Sequence, residues 1–218
     1  MDILNQKTGV KIFWILFCLT AITIIGMLIT GEPLKTEAAP WGILSFELVG
    51  TLDGSHTIIN SWQNEILTYA GINMGLDFLF LFLYGITIAL SCLLISKRLP
   101  AHWKFFKKLG IWLAVVVIIA ALLDIVENIA LIKLLLGSEN ALLPVLAKWC
   151  AIPKFLLILL AIVYVITGLY PVLRKAKLSK FQCWFYLKNP AVEPSNVPSN
   201  FPATAFLQSL ILHSLQKL

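Results

Sequence analysis

Four stretches of this sequence, at about 11–30, 72–96, 109–136 and 152–173, are apolar over a length that can cross a bilayer. No other feature restricts the fold as tightly. A helix rises about 1.5 Å per residue, so a run of about 20 residues spans a hydrocarbon core of about 30 Å. Composition closes off the soluble alternative. Hydrophobic residues make up 59% of the 218-residue chain and charged residues only 13%, against about a quarter in a soluble domain. The sequence therefore predicts an all-α membrane protein with four transmembrane helices. Its core is the contact between helices in lipid.

The formal net charge is +6. The basic residues sit beside the spans, where insertion into a lipid bilayer places them, so nucleic acid is not an expected partner. Lys97, Arg98, Lys104, Lys107 and Lys108 crowd the second connection, and Arg174, Lys175, Lys177 and Lys180 follow the fourth span. The first connection, 31–72, holds Glu32, Glu37, Glu47, Asp53 and Glu65 against Lys35 alone. By the positive-inside rule both termini are cytoplasmic and the long first loop is outside. Residues 11–30 could also be a signal peptide, with Lys7 and Lys11 before the run and Ala38-Ala39 after it. A signal core is usually only about 7–15 residues, which favours a retained first span. In that span Thr23, Gly26 and Thr30 share a helical face of small and hydroxyl residues suited to close packing.

A connection as long as 31–72 is rarely structureless. Trp41 to Val49 reads as a short apolar segment carrying Glu47 and ending at Gly50. Asp53-Gly54-Ser55 reads as a turn and helix start, and Ile59, Trp62, Ile66, Leu67 and Ala70 then recur with helical period. An amphipathic helix over 56–70, lying on the membrane or capping the bundle, is the expectation.

Residues 1–180 thus form the bundle and 181–218 a cytoplasmic tail. Phe181, Trp184, Phe185 and Tyr186 suit the headgroup region. Pro190, Pro194, Pro198 and Pro202 mark a disordered linker, and Leu207, Leu210, Ile211, Leu215 and Leu218 define a candidate amphipathic helix. Cys18, Cys92, Cys150 and Cys183 form no CxxC, so neither a disulfide framework nor a metal site is expected.

The polar residues inside the spans are the candidates for function. Asp124, Glu127 and Asn128 interrupt the third span at i, i+3, i+4, on one face. In the second span Asn73, Asp77, Tyr84 and Ser91 form a stripe. Lys154 stands near the mouth of the fourth. Ionisable groups inside a span are expensive, so each has a partner or a task. The chain direction brings Asp77 to the level of Glu127 and Asn128, with Tyr84 somewhat deeper than Asp124. The expected arrangement is a polar pocket in the outer half of the bundle with Glu47 and His56 above it.

Asp124, Glu127 and Asp77 are the candidates for acid–base chemistry. Asn128, Tyr84, Lys154, Glu47 and Asn73 are the candidates for ligand binding. Three carboxylates in a dry site cannot all be ionised, so at least one should hold a proton, as a general acid must. The competing reading is plain helix-to-helix hydrogen bonding, worth about 0.6 kcal/mol per bond in one measured system. His56, His102 and His213 look solvated. A metal held by Glu47, His56 and Asp77 lacks supporting ligand spacing, and the sequence points to no particular cofactor or oligomeric state.

Besides the bilayer itself, the partner expected is a lipid or other amphiphile, bound or acted on in the pocket. A proton- or cation-coupled transporter is the alternative, opposed by inner span halves that offer mainly Thr20, Thr87, Ser91, Tyr164 and Thr167. A non-enzymatic assembly component is the third possibility.

Overall fold

A computed structural model describes residues 6–63 and 65–188, with side chains described from 8 to 174 apart from position 64. The elements in order are α1 (Gln6–Gly31), a 3-10 turn (Glu32–Leu34), α2 (Ile43–Leu48), α3 (Leu52–Ser61), α4 (Glu65–Arg98), α5 (Lys104–Leu135) and α6 (Leu142–Lys188). Among the described residues there is no strand. Among the described residues four helices are long and apolar enough to cross a membrane: Thr8–Leu34, Glu65–Arg98, Lys104–Leu135 and Leu142–Arg174. The protein is an all-helical, multi-pass membrane protein. Its outward faces carry residues such as Trp14, Ile29, Trp112 and Ile166, the inverse of a soluble bundle and suited to lipid.

The chain divides into two compact units, Met1–Ile166 and Thr167–Leu218. The first holds the bundle and its long loop. The described part of the second is the remainder of α6. That helix carries the backbone through 181–188, where the sequence predicts the start of a tail. The proline-rich linker and the candidate helix at 207–218 lie outside the described residues, as do the side chains of the aromatic run at 181–186.

The helices outrun the apolar stretches. α4 begins at Glu65 and α6 at Leu142, both earlier than hydropathy alone places them. Pro144 falls in the first turn of α6, where a missing N–H costs nothing, and not in a loop. Pro153 lies inside the helix, one residue before Lys154. A proline there leaves the carbonyl four residues earlier without its usual donor.

The loop also departs from expectation. The helix predicted over 56–70 is two helices. α3 starts earlier, capped by Thr51, whose Oγ1 accepts from Gly54 N at 3.3 Å. It stops at Trp62, whose backbone leaves the helical region (φ −98°, ψ 63°). The reason is tertiary. Trp62 is buried, its Nε1 donates to Leu34 O at 2.9 Å, and its ring packs edge-on against Phe46 at 5.4 Å. Gly50 turns the chain between α2 and α3 at φ +69°, where a Cβ would lie 2.6 Å from the Lys148 side chain.

These contacts make the loop a cap. Leu34, Ala39, Phe46, Ile58 and Trp62 share one apolar core with Ala70 and Met74 of α4, Leu131 and Leu134 of α5, and Ala147 of α6. The cap closes one end of the bundle. At the other end Ser96 Oγ donates to Lys107 O at 2.7 Å, clamping the basic α4–α5 turn.

α1 lies along α4. The small face of α1 makes this contact: a Cβ on Gly26 would lie 3.5 Å from Leu76, and one on Gly31 would lie 3.4 Å from Asn73 Nδ2. α4 and α5 approach where a Gly85 Cβ would meet Ala121 at 3.3 Å. Close helix approach at small residues is the expected mode of packing in lipid.

Candidate functional site

The polar side chains gather beneath the apolar cap. From the helix ends, Glu127 stands about 12 Å down α5 and Lys154 about 18 Å down α6. These helices are longer than the apolar runs, so the group is deeper from their ends than the runs alone suggest.

Lys154 is the centre. Its Nζ donates to Asp124 Oδ1 at 2.9 Å, lies 2.8 Å from Glu127 Oε2, and lies 3.9 Å from Glu47 Oε2. The Glu127 contact is an ion pair without hydrogen-bond alignment, and both Glu127 oxygens lack a hydrogen-bond donor. The Phe155 ring centroid is 4.7 Å from the same ammonium. Tyr84 Oη donates to Asp124 Oδ2 at 2.8 Å, so both oxygens of Asp124 are occupied. Lys154, Asp124, Glu127 and Glu47 are all buried, at 4%, 2%, 0% and 5% exposure. Three carboxyl groups thus face one ammonium in a site where charge is expensive. α2 delivers the third: Phe46, wedged into the cap core, points the adjacent Glu47 down towards Lys154. Burial holds the Glu47 carboxyl well above the usual carboxylate range. Lys154 pulls the other way, while Glu127, Asp77 and Asp124 reinforce the rise. Burial thus favours the protonated form of Glu47.

Two predicted residues join the site at one remove. Asn128 Nδ2 donates to Asp77 Oδ2 at 2.7 Å, tying α5 to α4. Asn73 turns the other way, to α1: its Nδ2 donates to Met27 O and to Thr30 Oγ1, both at 2.8 Å. Ser91 caps no partner helix and donates to Thr87 O in its own. His56 faces Glu139 at 3.7 Å on the loop surface, not Lys154. Among the described residues no group of His, Cys, Asp or Glu is arranged to hold a metal ion.

A cavity of about 320 Å³ opens onto this cluster from the side. Its apolar walls are Ile24, Met27 and Leu28 of α1, Ile43 and Leu44 of α2, Phe80 of α4, and Phe155 and Ile158 of α6. Its polar floor is Glu47, Asn73, Tyr84, Asp124 and Lys154. Glu32 and Lys35, which form an ion pair at 2.5 Å, and the exposed Trp41 also line it. Of the three acids expected to do chemistry, Asp124 lines the cavity, while Glu127 and Asp77 stand behind it. Glu47 does line it.

Five buried side-chain atoms in the region lack a hydrogen-bond partner: Glu47 Oε2, Asn73 Oδ1, Asn128 Oδ1 and both Glu127 oxygens. All five are acceptors. Such atoms cost about 1–3 kcal/mol each when unsatisfied, more for charged groups.

The contribution of α1 to the cavity was not signalled by sequence, since Ile24, Met27 and Leu28 look like any apolar span residues. Trp41 and Leu44 carried a weak signal, an aromatic and apolar run around a single acid. No protein-family model matches this chain, nor does any curated protein or solved structure. Function must be argued from the site.

Proposed function

We propose that the protein binds a membrane amphiphile in this lateral cavity, with the apolar chain between α1 and α6 and the polar head at the Glu47–Asp124–Lys154 floor. The observation that carries this reading is the pairing of an apolar-walled cavity between α1 and α6 with a buried charge cluster that borders it. Pure structural glue accounts for the ion pairs but not for a cavity ending on them. Pockets of this kind, mostly apolar with a few converging polar groups, are the usual form of a ligand site.

On the positive-inside rule the basic residues favour cytoplasmic termini, an orientation that would put the cavity in the outer half of the membrane. Lys35, Glu32 and Trp41 then sit at headgroup level. If the site is catalytic, protonated Glu47 is the acid that faces the cavity. Asp124, gripped by Tyr84 and Lys154, is the fixed anion beside it. Transport is the weaker reading. Beyond Tyr84 and Asp124, bonds such as Thr20 Oγ1 with Thr87 Oγ1 at 3.2 Å and Thr87 Oγ1 to Leu83 O at 2.6 Å join hydroxyls to one another or to backbone, uncharged groups that do not match a charged solute.

A photoreactive diazirine alkyl chain in nanodiscs tests the proposal. Crosslinks should concentrate on Ile24, Leu28 and Phe155. Crosslinks spread evenly over lipid-facing residues such as Ile119 and Trp112 would refute it.

A further inference from the structure

The head group that the floor accepts can be read from which atoms there are unsatisfied. Glu47 and Asn73 line the cavity, each carries one unpartnered acceptor oxygen, and both residues are at least nine-tenths buried. The side-chain donors of the floor are engaged elsewhere: Tyr84 Oη on Asp124, Lys154 Nζ on Asp124 and in its ion pair with Glu127, and Asn73 Nδ2 on α1. An anionic or purely accepting head would find no donor there except a proton held on Glu47. It would also meet a surplus of carboxyl groups over ammonium groups. A head bearing several N–H donors and a positive charge meets the acceptor-bearing side chains of Glu47 and Asn73 and corrects that surplus.

We propose that the amphiphile is an amine, its protonated nitrogen seated against the side chains of Glu47 and Asn73. This rests on the lateral cavity being an amphiphile site and specifies the head. Lys154 does not exclude a second cation, because Asp124 and Glu127 already hold its charge at 2.9 and 2.8 Å. In the empty site a proton on Glu47 does what the ligand nitrogen would do: it removes one negative charge. Binding of the amine therefore displaces that proton. The groups facing Glu47 are Lys154 of α6, Glu127 and Asp124 of α5, and Asp77 of α4. The three acids all favour a cation at this position.

Equilibrium binding of radiolabelled dodecylamine, dodecanol and dodecanoate to the full chain in nanodiscs tests this, with empty nanodiscs as the blank. The chains match, so only the head differs. Dodecylamine should bind at least tenfold tighter than dodecanol, and dodecanoate weakest. In Glu47→Gln the preference for the amine over the alcohol should disappear. With the unaltered protein, amine affinity should weaken as pH falls from 8 to 5 and alcohol affinity should stay constant, a measurement that does not depend on the variant folding. Equal amine and alcohol affinity, tighter dodecanoate binding, or a pH-independent amine affinity would overturn the amine assignment and leave the cavity reading standing. No saturable binding of any of the three would overturn both.

Discussion

The Lys154 ammonium and the Glu127 carboxylate meet at 2.8 Å with both side chains buried, joining α6 to α5 beneath the apolar cap. A charge pair in that position is costly to form, and costlier to leave half made. Its consequences can be measured.

Removing Lys154 strands Asp124, Glu127 and Glu47 together. Lys154→Met should destabilise the bundle by about 3–5 kcal/mol, the range for breaking a buried pair from one side. Adding Asp124→Asn and Glu127→Gln to that variant should restore part of the loss. Thermal unfolding in detergent reads both. Equal stability of Lys154→Met and the unaltered protein would mean that the pair is not buried as described.

Tyr84→Phe removes one bond to a charged partner and leaves Asp124 Oδ2 bare. The expected loss is about 1.5–3 kcal/mol. An effect near zero would show that water replaces the phenol without cost.

Asn73→Ala cuts the tie between α4 and α1 at Met27 O and Thr30. Intramembrane side-chain bonds average only about 0.6 kcal/mol, so stability should change little. The wall formed by α1 should loosen instead. Cysteine crosslinking between Gly26→Cys and Leu76→Cys should slow in the Asn73→Ala background. An unchanged rate would place the hold on α1 elsewhere.

Glu47 gives stability a pH dependence. Burial raises its carboxyl, so the folded state binds a proton more tightly than the unfolded chain. Its contribution to stability is present in full below the ordinary glutamate range. It is lost as pH rises towards the raised folded value. Stability should therefore decline across that window, and Glu47→Gln should flatten the slope. A slope of the opposite sign in the unaltered protein, or an unchanged slope in Glu47→Gln, would contradict the account.

The residues of the site were legible in the sequence for a simple reason. Asp124, Glu127, Asn128, Asp77, Tyr84 and Lys154 interrupt hydrocarbon, and chain direction fixes their relative depth. Their division of labour was not legible. Asn73 and Asp77 belong to one stripe, yet Asn73 turns to α1 and Asp77 to α5, because a helix inside a bundle has neighbours on more than one side. Glu47 is expected from the sequence above the pocket, as a ligand-binding candidate in a short apolar segment. It is buried because Phe46 and Trp62 pull α2 into the cap, a long-range contact that no local pattern encodes. The same contact ends α3 at Trp62, where helical period alone continued to Ala70.

The central claim is that an amphiphile occupies the cavity between α1 and α6. Native mass spectrometry of the protein released from its own membrane tests it most directly, beside Leu28→Trp, which narrows the cavity wall without touching the charge cluster. The account predicts a discrete amphiphile adduct on the unaltered protein that is lost from Leu28→Trp. The same adduct spectrum on both proteins, or none on either, would contradict it.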